Sequence, residues 1–189
     1  MRKAPNMTRR TKVNCELSAG ADKVCINSEA LKNPAFITKA SERFGSQCIV
    51  VSIDAKKKEG GGYEVYGGGG KKAMGFSPEE WVKKAEGLGA GEIFLNSIER
   101  DGSKNGYDLG LIRPVADSVN IPVIACGGVG KMQDFVDGIR EGNASAVAAA
   151  NIFQYTEHST IIAKAALKKA GVDIRLVTEA NYLEDQRAE

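Results

Sequence analysis

Gly89 to Asp108, GAGEIFLNSIERDGSKNGYD, decides the reading of the fold. Glu92 to Ser97 (EIFLNS) holds three consecutive apolar residues, Ile93, Phe94 and Leu95, set between glycines. A short apolar run flanked on both sides by helical periodicity predicts a parallel strand covered on two faces. The chemistry then changes at once to Glu99, Arg100, Asp101, Gly102 and Ser103. Carboxylates, a cation, a hydroxyl and a glycine at the carboxyl end of a strand are what a parallel α/β sheet offers its ligands.

The rest of the chain repeats this strand–loop–helix phrase. Strands are predicted over Lys23–Asn27, Gln47–Asp54, Pro122–Cys126 and Ala144–Ala149. A helix over Thr8–Ala19 ends at Gly20, and Asn33-Pro34 opens the next, with Asn33 as N-cap. Ser77-Pro78-Glu79-Glu80 is a capping box with proline at the first helical position. Helices with inward faces Leu109, Ile112, Val115 or Ala116, Val119 and Met132, Phe135, Val136, Ile139 follow, and a last one spans about residues 156–170. Between Asp54 and Ser77 lies a glycine-rich excursion, AKKKEGGGYEVYGGGGKKAMG. It predicts a mobile loop with a small hairpin at Tyr63–Tyr66, which either closes over a ligand or is plain surface.

Gly20-Ala-Asp-Lys-Val-Cys-Ile-Asn27 echoes Gly89-Ala-Gly-Glu-Ile-Phe-Leu-Asn96, two units apart. Repetition at that period, with the small-residue strand and the glycine turn after Cys126, favours a barrel of like units over an open doubly wound sheet. Five units are counted, against the eight units and about 250 residues of a full barrel. A single partial-barrel domain over residues 1–189 is expected, with flexible tails at 1–7 and 177–189.

Composition narrows the function classes. With 26 Lys+Arg against 24 Asp+Glu, the net charge of +2 argues against nucleic acid and anionic membrane surfaces as partners. No apolar run approaches the roughly 20 residues of a spanning helix, and the basic start MRKAPNMTRRTK has no apolar segment behind it, so it is no secretory signal. Cys15, Cys25, Cys48 and Cys126 form no C-x-x-C pair and read as reduced, mostly buried thiols of a cytoplasmic protein. His158, the single histidine, has no neighbouring Cys or His, so no metal is expected.

Every candidate polar group falls at a strand's carboxyl end: Asn27, Ser28, Asp54, Asn96 to Ser103, Gly127 to Gly130, Ala150 and Asn151. In a parallel fold those ends share one face. Gly127-Gly128 beside Ala150-Asn151 is either a backbone cradle for a phosphate or a tight strand-to-helix corner. Asp54, closing an apolar strand, is either a tuned proton-transfer group or a cap for the turn that follows. Asp101 is a second acid or a loop-orienting residue. No Ser-His-Asp arrangement is expected, since a single histidine leaves little room for one.

The segments AGADKVCINS, FGSQCIVVSIDAK, LGAGEIFLNSIERDGSKNGYD, IPVIACGGVGKMQDF and AVAAANIF, in this order and spacing, resemble the cyclase subunit of imidazole glycerol phosphate synthase. The likeness runs from Ser18 to Arg175. It implies a (β/α)8 TIM-barrel family, represented here by strands four to eight. It further implies an enzyme of histidine biosynthesis that takes ammonia from a glutaminase subunit and uses it on a phosphoribulosyl–aminoimidazole carboxamide ribotide, without a cofactor.

By the same resemblance Asp54 matches a catalytic aspartate. Asn27 and Ser28 match part of one phosphate site; Asp101, Gly102, Gly128, Ala150 and Asn151 match the other. Lys23 and Glu92 match members of a charged gate for ammonia, and Asp22 matches a residue facing the glutaminase. The family's other catalytic aspartate belongs to the first of three units that this sequence does not contain. The expectation is therefore a chain of weak or no activity alone, self-associating through open barrel edges. Asn96 and Asn151 stand where the family more often has hydroxyl residues, and Cys126 where it often has serine. Those departures resemble a paralogous branch that uses ammonia for acetamidino modification of surface-polysaccharide sugars.

Overall fold

The computed structural model describes residues 13, 16–17, 19–154 and 160–176. Strands β1 (Val24–Ile26), β2 (Ile49–Lys57), β3 (Tyr63–Gly67), β4 (Lys72–Ala73), β5 (Glu92–Ser97), β6 (Val123–Cys126) and β7 (Ala146–Ala148) form one sheet. Five of them run parallel in the order β1-β2-β5-β6-β7, and β3 and β4 add an antiparallel arm to β2. The helices are α1 (Ser28–Lys32), α2 (Ala35–Phe44), α3 (Pro78–Gly87), α4 (Leu109–Ala116), α5 (Met132–Arg140), α6 (Asn151–Gln154) and α7 (Thr160–Lys169). Each parallel strand thus leads through a helix to the next. Among the described residues the outer edges of β1 and β7 meet no further strand, so the arc is an open partial barrel.

Register divides the sheet into two unlike faces. Ile26, Val51, Ile93 and Val123 align across four strands, as do Ile53, Leu95 and Ala125 across three. All are buried, and they join Ile37, Trp81, Val82, Leu111, Ile112 and Ile162 of the helices in one core. The opposite face carries Ser52, Phe94, Ile124 and Ala146 in one row and Asp54, Asn96, Cys126 and Ala148 in the next. Its residues are half-buried or exposed, so β5 is covered fully on one face and not on two. The polar strand-end residues Asp54 and Asn96 lie on this inner face.

Several local signals are realised as drawn from the sequence. Ser77 Oγ accepts from the Glu80 amide at 3.2 Å while Glu80 Oε2 accepts from the Ser77 amide at 2.9 Å, closing the capping box of α3. Gly20, with φ +102°, donates to the Leu17 carbonyl at 3.1 Å, as a C-terminal stop requires. The rest of the expected helix at residues 8–19, Cys15, His158 and both expected tails lie largely or wholly outside the described residues.

Three readings change. Asn33 does not cap α2 with its side chain: Pro34 occupies the N-cap, and Asn33 instead closes α1 by donating its amide to Glu29. Cys25 is exposed and Cys126 half-buried, because β1 and β6 turn those positions away from the helices, and Cys48, in the short turn before β2, is half-buried against the core. The excursion after Asp54 is a built arm: β2 continues to Lys57, and residues 54–57 pair with 63–66. Gly68, Gly69 and Gly70 take φ of +64°, +70° and +77° in succession to turn β3 into β4. The left-handed region costs other L-residues about 1–2 kcal/mol each, so the glycine run encodes a turn.

Candidate active site

Asp54 lies in the middle of the sheet's carboxyl-end row, with β1 and β5 on either side of its strand. The Asn27 Nδ2 amide, at the end of β1, donates to Asp54 Oδ2 at 3.0 Å. Asn96 Nδ2, opposite Asp54 in the β2–β5 register, donates to Oδ1 at 3.4 Å. The carboxylate is therefore held by both oxygens, one from each neighbouring strand. Asn27 Oδ1 and Asn96 Oδ1 are themselves buried and unpartnered among the described residues.

Cys126 is next to Asn96 in the same row. Burial pushes its thiol above the ordinary range, and the carboxylates of Asp101 and Asp54 push it further, against a hydrogen bond from the Gly127 amide. A thiol so raised stays protonated near neutrality and is no nucleophile.

The loop of residues 98–108 and the glycine turn after β6 pack against each other. The Gly106 amide donates to the Gly128 carbonyl at 2.8 Å. Gly127 and Gly128 have φ of +94° and +110°. A Cβ on Gly127 would lie 2.9 Å from Asn96 Oδ1, and one on Gly128 would fall on the Gly106 carbonyl. Both glycines are thus required for the corner, whatever the turn binds. A Cβ on Gly102 would lie 3.2 Å from Asn151 Nδ2, so the structure brings Asp101-Gly102 beside the start of α6. Asp101 and Ala150 are exposed there, and Ser28 is exposed at the start of α1.

Sequence reading missed three supports of this face. Asp134, 5% exposed, accepts from the Gly130 and Lys131 amides at 2.8 and 3.0 Å through Oδ2. Those two amides of the turn are therefore already taken. The available signal was an acid three residues past Lys131, at a helix start. Tyr63 of β3 donates its hydroxyl to the buried Asp108 carboxylate at 2.7 Å, and Tyr107 donates to the Ala148 carbonyl at 2.8 Å. No short-range signal pairs those residues.

At the other end of the strands Lys23 and Glu92 form an ion pair, with Asp22 exposed beside it. The two predicted gate residues are thus brought together, at the opposite end of the strands from Asp54. Among the described residues no cluster of His, Cys, Asp and Glu fits a metal ion, and no helix is long and apolar enough to cross a membrane.

A parallel β/α arc with an acid–amide cluster at the strands' carboxyl ends has the layout of a barrel of this kind. The comparison with protein families agrees: the model described as Histidine biosynthesis protein matches residues 8–160. The chain is a member of that family, whose fold is the TIM barrel and whose members are enzymes of histidine biosynthesis.

Proposed function

We propose that the chain is a cyclase-type subunit of imidazole glycerol phosphate synthase. In this reading it receives ammonia from a glutaminase and converts a phosphoribulosyl–aminoimidazole carboxamide ribotide into imidazole glycerol phosphate. The observation that carries it is the pair of poles on one sheet: Asp54 held by Asn27 and Asn96 at the carboxyl ends, and the Lys23–Glu92 ion pair at the amino ends. Ring closure and C–N cleavage both move protons between nitrogen and oxygen. A carboxylate fixed at both oxygens meets such a task as base toward the incoming nitrogen and, once protonated, as acid toward the leaving one. The substrate's phosphate would sit by Asp101, Gly102, Gly128, Ala150 and Asn151, and the other near Ser28. The glutaminase would face Asp22, Lys23 and Glu92.

A second reading has an observation of its own. Asn96 sets a carboxamide against Asp54 where the resemblance leads one to expect a hydroxyl. That favours the paralogue that uses ammonia to build an acetamidino group on a sugar.

Two measurements separate these readings. Ammonia-dependent turnover of the ribotide, with rescue of a histidine auxotroph lacking its cyclase, supports the first. Neither rescue nor turnover, with amidination of a sugar intermediate, supports the second. Among the described residues β1 and β7 each keep an unpaired edge, which supports self-association. A monomer in gel filtration counts against it.

A further inference from the structure

Two strands share one edge of β2 in succession. β1 pairs with residues 49–51, and β3 takes over the same edge at residues 54–57. Asp54 therefore has a neighbour in register on each side, Asn96 of β5 and Tyr66 of β3. Residues directly opposite in an antiparallel pair put their side chains on the same face of the sheet. Tyr66 thus shares the inner face with Asp54, and it is half-buried there.

The arm that carries Tyr66 is held at other points. Tyr63 donates to Asp108, the Lys57 amide donates to Glu99 at 3.3 Å, and Glu64 accepts from the Gly75 amide at 2.8 Å. Those polar side chains are taken up by the fold. The Tyr66 hydroxyl is not: it has no hydrogen-bond partner among the described residues and is not closed off from solvent. A ligand beside Asp54 can reach it.

Asp54 and Tyr66 complement each other. An ionised carboxylate only accepts, and each oxygen keeps lone-pair capacity beyond the one amide it already binds. A phenol can donate. Two adjacent hydroxyls satisfy both at once, the first donating to Asp54 and the second accepting from Tyr66. A phosphate group only accepts, so it would suit Tyr66 and be repelled by Asp54.

We propose that Tyr66 is a ligand-contacting residue of the Asp54 site, its hydroxyl donating to one hydroxyl oxygen of a sugar or open-chain polyol whose neighbouring hydroxyl binds Asp54. The inference rests on Asp54 as the centre of the site. It deepens the function proposed above by giving the substrate's sugar hydroxyls a place beside the arm. The contact selects for hydroxylated ligands.

The test uses the full chain with 3-fluorotyrosine in place of Tyr66 alone, read by 19F NMR. Ribose 5-phosphate carries adjacent hydroxyls and a phosphate, whereas inorganic phosphate carries the charge alone. A saturable shift with ribose 5-phosphate, and none with inorganic phosphate, is expected. A shift with inorganic phosphate as large as that with the sugar phosphate would show attraction by charge and overturn the proposal, as would silence with both. Tyr66→Phe keeps the ring and removes the hydroxyl. It should weaken ribose 5-phosphate binding about threefold to tenfold by calorimetry, the effect of one neutral hydrogen bond, and leave binding of inorganic phosphate unchanged. Equal losses for both ligands would mean that Tyr66 only supports the arm, and unchanged affinity for the sugar phosphate would remove it from the role. If that variant fails to fold, the 19F comparison still decides. Neither probe needs ammonia or turnover. The expected shift without ribotide turnover would refute the cyclase reading alone, and turnover without the shift would refute this inference alone.

Discussion

The phenol of Tyr63 donates to the buried carboxylate of Asp108 at 2.7 Å, tying the arm that follows Asp54 to the loop that follows β5. The two residues are 45 positions apart in the chain. The arm is thereby fixed beside the site, and the glycines on either side of it serve its turns.

Removing the phenol while keeping its ring tests this tie. In Tyr63→Phe the Asp108 carboxylate stays buried, and its hydrogen bond to Tyr63 is gone. Loss of a partner to a charged group costs about 1.5–3 kcal/mol. Urea denaturation should show a loss in that range, and amide exchange should speed up over residues 63–67 before it does in β5.

The same phenol predicts behaviour in alkali. Burial first, then Asp108, raises the Tyr63 pKa above its ordinary value, and burial is also the first cause of the rise at Tyr107. A raised folded-state value means the folded chain keeps protons that the unfolded chain releases. Stability from these groups is therefore full below about pH 10, the unfolded value, and declines as pH rises beyond it. Denaturation midpoints that stay flat from pH 9 to 11 would contradict this. In Tyr63→Phe the alkaline decline should be shallower.

Whatever turnover the chain supports, Asp54→Asn should abolish most of it, since loss of an acid–base group costs about 10²–10⁴-fold. The amide cannot accept from both Asn27 and Asn96 as the carboxylate does. Binding of inorganic phosphate by the glycine turns, read by calorimetry, should be retained. Full activity in this variant would remove Asp54 from the mechanism.

The two glycine positions beside Asn151 and Gly106 should behave differently. Gly128→Ala places a methyl group against the Gly106 carbonyl at φ +110°, where only main-chain movement gives relief. A loss of about 3 kcal/mol or more is expected from strain and overlap together. Gly102→Ala at φ +75° meets only the end of the Asn151 side chain, so about 1–2 kcal/mol is expected. A thermal or urea series that reversed the order would refute the packing described for the corner.

Much of this is legible in the sequence. The β5 strand, Glu92–Ser97, falls on the residues read from its apolar run and glycine borders, and the α3 capping box is a four-residue signal that needs nothing distant. What was not legible depends on partners far along the chain. The extension of β2 to Lys57 exists only because residues 63–66 pair with it. The short helix Ser28–Lys32 carries too little periodicity to be read. Asn27, Asp54 and Asn96 were each visible as strand-end polar residues. Their convergence follows from register, which places Asn96 opposite Asp54 and which a single strand's sequence does not contain.

The Lys23–Glu92 pair offers a test in which stability and function should part company. The Lys23 side chain is 46% exposed and that of Glu92 20%, so solvent screens much of their attraction. Glu92→Gln should therefore change unfolding free energy by less than about 1 kcal/mol. If the pair guards the entry of ammonia from a glutaminase, the same variant should lower glutamine-dependent turnover yet leave turnover with added ammonium salt near its original level. Ammonium salt supplies the nitrogen from solution and bypasses the amino-end face, whereas glutamine-derived ammonia must cross it. Equal losses with both nitrogen sources would mean that Glu92 acts on the sheet as a whole and not on passage. No loss with either would leave Lys23 and Glu92 as a surface ion pair of the ordinary kind, and the glutaminase would have to face another part of the chain.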